Sequence, residues 1–405
     1  MRPVAGNGEP VRFLTIGLLY PPHYLGGYEL VCQGVMRAAR ARGHDVQVLV
    51  SDYRAPGVSE SEEPGVDRSL RSYLDATAQL PVAMGVRECV GLERHNQAVL
   101  ERHLLEHAPD VVSWWGMGGL SLALIERVRR AGLPSVLAVH DPWLSYGPEA
   151  DIWTRRARKL QALAPVLEPL LGVPVRYRLQ DAGRFLFNSQ HTLDESLAVG
   201  FVPSDRAVLT PGVHQRYKPS PQPERWGGRL LYVGRLDPVK GVDVLISAIA
   251  ELPDVTLRLV GSGNELYESE LRSQAQSLGA QARVEFVGPV DAELLPSIYT
   301  DADAVIFPVR WQEPWGLVPL EAMAVGRPVI ATSRGGAATY LRDGDNALLM
   351  PVDDHRALAG LVRRLAEEPD LRAKLREGGL RTAAEHSAER YEQLMVDELE
   401  RAGRE

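Results

Sequence analysis

The sequence predicts an α/β protein made of two doubly wound domains facing each other across a cleft. Its 405 residues suffice for two domains at roughly 150 residues each. Short β-branched and leucine-rich runs bounded by turn residues alternate with longer helical stretches, the pattern of parallel strands joined by crossover helices. The two halves also open alike, with a strand, a glycine-containing turn and a helix, at 13–27 and again at 230–241. Both domains are therefore expected to be Rossmann-like, with the carboxyl ends of their strands forming the binding face.

In order, strands are predicted at Arg12–Gly17, Val46–Val50, Val111–Trp115, Ser135–Val139 and Phe185–Phe187. The second half repeats them at Leu230–Val233, Thr256–Val260, Val284–Val287, Ala304–Phe307 and Pro328–Ala331. Between the two sets, Thr210–Gly228 holds four prolines and three glycines, a composition that opposes any continuous element. The domains are accordingly drawn as 1–208 and 209–387. A last helix, about Ala388–Ala402, follows the polar break at His386-Ser387, and residues 388–405 are expected to cross back onto the first domain.

A net charge of −8 has the wrong sign for a protein that grips nucleic-acid phosphates along its surface. Two isolated cysteines, Cys32 and Cys89, suit neither a disulfide framework nor a cysteine zinc site. The first apolar run, Phe13–Tyr20, is short and lacks a basic n-region and a small-residue cleavage site, and no apolar stretch reaches about 18 residues. A cytoplasmic protein, neither exported by a signal peptide nor membrane-spanning, is expected. Only four of the 45 basic residues are lysine, which points to a high-GC bacterial gene and makes a lysine inside a motif more telling.

Such a lysine occurs in the second domain. Arg235 and Lys240 follow its first strand, and Glu313 and Glu321 bracket Glu-Pro-Trp-Gly-Leu-Val-Pro-Leu-Glu. Arginine and lysine neutralise a diphosphate by charge-assisted bonds. Carboxylates accept pairs of hydroxyl hydrogens, as a ribose diol or a sugar presents them. Glu321 is placed in the early turns of a helix starting near Pro319, with Glu313 in the loop before it, and the helix amino terminus adds positive potential. The competing reading is a salt-bridged surface helix without ligand; the spacing and company of these residues speak against it.

Glu313 and Glu321, continued by Ala322-Met-Ala-Val-Gly-Arg-Pro-Val-Ile-Ala331, resemble the signature of retaining glycosyltransferase family 4 (group 1 glycosyltransferases), which have the two-domain GT-B fold. Gly234-Arg-Leu-Asp-Pro-Val-Lys-Gly241 is similar to that family's diphosphate motif, and Gly26-Gly27 with Arg42-Gly-His-Asp-Val46 is similar to its first-domain opening. The resemblance implies that Arg235 and Lys240 hold the leaving diphosphate, Glu321 the ribose and Glu313 the donor-sugar hydroxyls. It further implies that backbone near Trp315, Gly316 and Leu317 assists, that Gly261 and Gly263 line the nucleotide, and that Gly26 and Gly27 let backbone approach the phosphates where a Cβ would obstruct. His140, ending a strand where the family has a histidine, would contact the donor sugar or orient the acceptor. Pro308-Val-Arg-Trp311 departs from the pattern, since the family more often has serine after the proline; that departure bears on base and sugar preference.

Several other patterns compete for attention. His103-Leu-Leu-Glu-His107 matches an inverted zincin motif but runs straight into a helix end and a strand, so a solvated helix face is expected. Gly116-Met-Gly-Gly-Leu-Ser121 resembles a dinucleotide fingerprint with serine at the third glycine, after the wrong strand. His23, just before the glycine loop, is a weaker candidate for a site residue, with turn packing as the competing account. Arg155-Arg-Ala-Arg-Lys159 is a basic cluster in an acidic chain, either a plain exposed face or a weak contact for a membrane surface or anionic acceptor.

The expected activity is that of a hexosyltransferase (class EC 2.4). A sugar moves from a nucleotide-diphosphate donor to a hydroxyl of a small natural product, a saccharide or a lipid-linked sugar. Retention is what the resemblance implies. With phosphate cations supplied by side chains and no aspartate-x-aspartate motif that stands out, neither cofactor nor essential metal is expected. A sugar-nucleotide epimerase of the same fold, or a non-catalytic nucleotide-sugar sensor, are the alternatives.

Overall fold

The computed structural model describes residues 9–55, 58, 63–75, 80–221, 223 and 225–405; Gln222 and Glu224 of the proline-rich junction and 1–8 of the first domain lie outside them. The chain separates into two compact units, Met1–Thr210 with Tyr391–Glu405, and Pro211–Arg390.

In the first unit, β1 (Arg12–Gly17), β2 (Asp45–Ser51), β3 (Val66–Leu70), β4 (Val111–Trp115), β5 (Ser135–Val139), β6 (Arg184–Phe187) and β7 (Asp205–Val208) form one parallel sheet among the described residues. Its order is β3-β2-β1-β4-β5-β6-β7. The central strands β4 and β5 are buried at every position, because helices cover both faces and each face must be apolar. The predicted strands match in place. The two edges, β3 and β7, have sequences Val-Asp-Arg-Ser-Leu and Asp-Arg-Ala-Val and carry no apolar run to betray them.

The last helix runs over Ala388–Arg404, two residues beyond its predicted end. Tyr391, Met395, Val396 and Leu399 pack with Phe13, Val48, Val111 and Val136 in the core beneath β1. Ion pairs Arg42–Asp397 (2.5 Å) and Arg184–Glu398 (2.9 Å) hold its outer face.

In the second unit, β8 (Arg229–Val233), β9 (Thr256–Val260), β10 (Val284–Gly288), β11 (Ala304–Phe307), β12 (Val329–Ala331) and β13 (Leu348–Leu349) form a parallel sheet of order β10-β9-β8-β11-β12-β13. The strand predicted from Pro328 starts one residue later; proline has no N–H to give the ladder. The helix predicted near Pro319 starts earlier, at Leu317, after Gly316 at φ 85°.

The histidine pair of His103-Leu-Leu-Glu-His107 is not a solvated face. It ends the helix Val86–Glu106, where His103 Nε2 meets Asp67 at 2.8 Å and His107 Nε2 meets the Phe13 carbonyl at 3.2 Å. Both rings pin the helix to the sheet, and burial lowers the His107 pKa. No helix among the described residues is long and apolar enough to cross a membrane.

Candidate functional site

The order of the second sheet reverses direction at β8, with β9 on one side and β11 on the other. In such a sheet the crevice beyond the carboxyl ends of the strands at the reversal is the place where ligands bind. The loop after β8 carries Arg235 and Lys240, and the loop after β11 carries Glu313, Trp315 and Gly316.

The two loops are stitched together. Lys240 Nζ donates to Glu313 Oε2 at 2.7 Å, with side chains only 17% and 13% exposed. Trp311 Nε1 donates to the same oxygen at 2.7 Å, and its ring lies 4.8 Å from the Lys240 ammonium, a cation–π distance. Beneath them, Arg310 donates to both Asp243 oxygens (2.7 and 2.6 Å), to the Pro238 carbonyl (2.7 Å) and to Asp353. Its own amide donates to the Val239 carbonyl at 2.8 Å. The Pro238–Lys240 turn is capped by Asp237, which accepts from Val239 N at 3.0 Å. Gly241 at φ 70° ends the turn, and a Cβ there would lie 2.3 Å from the Pro308 oxygen.

Arg235 pairs with Asp237 of its own loop at 3.2 Å. On the far side, the Glu313 carbonyl accepts from Gly336 N at 2.6 Å. Gly335, at φ 63°, approaches so closely that a Cβ would sit 2.3 Å from that oxygen. Trp315 is buried with its indole N–H unpartnered among the described residues, packed on Tyr340 and His386 at 5.2 Å each.

Glu321 stands on the helix Leu317–Ala324, hydrogen-bonded to tyrosines, with Arg216 as the cation whose charge reaches it. Tyr299 donates to its Oε2 at 2.6 Å, and burial raises the carboxyl pKa while hydrogen bonds from Tyr299 and Tyr217 oppose the rise. Lys240 and Glu313 are therefore joined, whereas Arg235 and Glu321 have separate partners. Gly261 and Gly263 have a reason inside the protein: a Cβ on either would lie about 2 Å from the carbonyl of Gly234 or Leu236, where the loops after β8 and β9 touch.

In the first unit, Gly26 caps and Gly27 begins the helix Gly27–Ala41. Gly26 has φ −160°, and a Cβ there would meet nothing nearer than the Glu29 carboxylate at 3.8 Å, so the fold itself does not ask for glycine. His140 follows β5 and is buried. Its ring stacks on Tyr28 at 4.6 Å, and its Nε2 lies 2.7 Å from the Tyr391 hydroxyl of the last helix. Burial pushes its pKa down to about 3, so the imidazole is neutral. The neighbouring Asp141 is raised to about 6 by burial and accepts from Tyr146. His23 accepts from Ala55 N at 3.1 Å, in keeping with a packed turn.

Arg310, Trp311, Tyr299, Tyr217 and Tyr391 escaped the sequence reading. Only Arg310 and Trp311 left a trace, as the departure at Pro308-Val-Arg-Trp311. Among the described residues no cluster of three His, Cys, Asp or Glu side chains is arranged to hold a metal ion.

A family model described as glycosyl transferases group 1 matches residues 221–382, and one described as glycosyltransferase family 4 matches 25–216. A D-inositol 3-phosphate glycosyltransferase of Nocardioides sp. is 38% identical over 191 residues, 43% of this chain and 41% of that protein. The chain thus spans less than half of that relative's length. A glycogen synthase of Mycobacterium tuberculosis is 26% identical over 387 residues, 89% of this chain and 87% of the relative. Among solved structures, Anabaena Alr3699/HepE in complex with UDP-glucose superposes with a TM-score of 0.69 at 22% identity, over 96% of this chain and 98% of the other. That likeness establishes the fold.

Proposed function

The chain belongs to the group 1 glycosyl transferases, with two Rossmann-like domains of the GT-B kind, and from that premise we propose that it moves a glycosyl group from a nucleotide-diphosphate sugar to an acceptor hydroxyl with retention. The observation that carries the proposal is the pairing of Lys240 with Glu313 across the two loops at the sheet's reversal. An ammonium has three donors. One bond to Glu313 leaves two for phosphate oxygens, while the free lone pairs of Glu313 accept sugar hydroxyls beside it.

In the reaction the bond from the anomeric carbon to the phosphate oxygen breaks and its electron pair leaves with the diphosphate. The acceptor oxygen bonds to that carbon on the same face, and its proton passes to the departing oxygen. Arg235 and Lys240 stabilise the charge that grows on the phosphate, which lowers the barrier because the interaction is stronger in the transition state. Glu321, oriented by Tyr299, takes the ribose diol. Neutral His140 offers a hydrogen bond to a sugar or acceptor hydroxyl rather than a proton. Both phosphate cations are side chains, so transfer needs no metal and persists in chelator.

The test is a thermal-shift screen of nucleotide sugars, followed by product stereochemistry on the best donor. Released nucleotide diphosphate with a retained anomer is expected. Inversion overturns the mechanism, isomerised donor without free diphosphate makes the protein an epimerase, and saturable binding without turnover in any acceptor panel makes it a sensor.

A further inference from the structure

We propose that the outward face of the short helix Ala164–Leu171, with the turn before it, docks this protein on an anionic phospholipid surface. Leu163, Val166 and Leu170 are 54%, 69% and 69% exposed. Their spacing of three and four residues puts them on one face, and exposed Ala162, Pro165 and Pro169 complete it. Scattered exposed leucines are ordinary, but an unbroken apolar helix face is not. The inward side is apolar too: Ala164, Leu167 and Leu171 pack into a core with Tyr73 and Trp153. The single acid of the helix, Glu168, is held by the Arg130 guanidinium and accepts from the Val175 and Arg176 amides. The fold uses one apolar face and leaves the other open.

Cations rim that open face. Arg155, Arg158 and Lys159 are exposed immediately before the turn. Arg176 donates to the Gln161 carbonyl at 2.9 Å, and Arg94 to the Leu170 and Leu171 carbonyls at 3.0 and 2.9 Å. Glu149, paired with Arg158 at 2.6 Å, offsets only one of them. This concentration occurs in a chain of net charge −8. A second copy meeting the same face about a two-fold axis would set the cationic rim against itself. A bilayer with anionic headgroups satisfies both parts at once, the apolar side chains entering the acyl boundary and the cations staying among the headgroups. The inference does not depend on the transfer reaction.

Vesicle flotation tests it with the full chain. The wild type is expected to rise with vesicles of equal parts phosphatidylcholine and phosphatidylglycerol at low salt, and to stay behind with phosphatidylcholine alone. Two double variants, Val166→Asp with Leu170→Asp and Arg155→Glu with Lys159→Glu, should each bind the anionic vesicles at least about tenfold more weakly, since each cation near such a surface is worth about fivefold. All four positions are exposed, so an unchanged melting temperature shows that folding is intact. Failure of the wild type to rise with anionic vesicles overturns the proposal, as does binding that both variants keep. A concentration-dependent dimer that Leu170→Asp dissolves would assign the face to a second copy instead.

Discussion

Replacing Lys240 by alanine should weaken both transfer and binding of free nucleotide diphosphate, and removing the Glu313 charge as well should restore part of the binding. Lys240 Nζ lies 2.7 Å from the Glu313 carboxylate oxygen. A phosphate oxygen bonded to that ammonium at about 2.8 Å therefore falls within about 5.5 Å of the carboxylate. With the ammonium gone, two unit charges about 5 Å apart at an effective dielectric near 20 repel by about 3 kcal/mol. Partial exposure and salt reduce this to about 1–2 kcal/mol. The lost hydrogen bond to a charged group costs about 1.5–3 kcal/mol more. Lys240→Ala should thus lose about a hundredfold or more in diphosphate affinity, and Lys240→Ala with Glu313→Gln should recover about tenfold. Calorimetry with the free nucleoside diphosphate keeps the role of Glu313 toward the sugar out of the measurement. Turnover of the single variant should fall at least about tenfold. A double variant that binds no better than the single one would show that Lys240 does not shield the diphosphate from Glu313, and near-normal turnover by Lys240→Ala would remove Lys240 from the transfer step.

Glu321→Ala should weaken the free diphosphate and the intact donor alike, because the proposed contact is with the ribose they share; unchanged nucleotide affinity in calorimetry would remove that role. Gly26→Ser should leave the melting temperature unchanged or raise it, since serine is at least as good an N-cap as glycine and the Cβ has room, yet lower donor turnover; normal turnover would show that nothing approaches that backbone. Glu93 is fully buried between Tyr73 and Ser121, and burial raises its pKa to about 8, against about 4.3 when unfolded. The folded chain then keeps a proton that the unfolded chain releases, so the contribution of Glu93 to stability is greatest below about pH 4.3 and falls as pH rises toward 8. Glu93→Gln should flatten that slope in melting temperatures taken across this range, and an identical slope in both proteins would contradict the assignment.

What was legible follows from burial. β4 and β5 lie between two helical layers, so all their side chains but Ser113 and Ser135, which accept from Trp115 and Trp114, are apolar and the runs stood out. β3 and β7 are edges, paired on one side only, and their Asp-Arg sequences match neither a buried run nor a clean alternation. Arg235, Lys240, Glu313 and Glu321 could be singled out from residue type and spacing alone. Their partners could not. Tyr391 reaches His140 from 251 residues away and Lys240 meets Glu313 across 73, and no local pattern records a contact made by folding. His103 and His107 misled for the converse reason: their spacing suits a solvated helix face, but Asp67 and the Phe13 carbonyl lie opposite them.

The departure at Pro308-Val-Arg-Trp311 has a physical meaning for the Lys240–Glu313 pair and, under the proposed function, for the transfer step. A free lysine has a flexible four-carbon stem, and immobilising it at the moment of reaction would consume part of the stabilisation it offers. Here Arg310 fixes the Pro238–Lys240 turn through the Pro238 carbonyl, the Val239 carbonyl and Asp243, while Trp311 provides both a ring near the ammonium and a second donor to Glu313. The cation and the carboxylate are therefore in position before any ligand arrives. Electrostatic stabilisation is most effective when the charges need not reorganise as the bond breaks. A serine after Pro308 could do none of this at the position of Arg310, but Val309 separates the two, so the clamp is an addition to the loop rather than a replacement of that serine's contact.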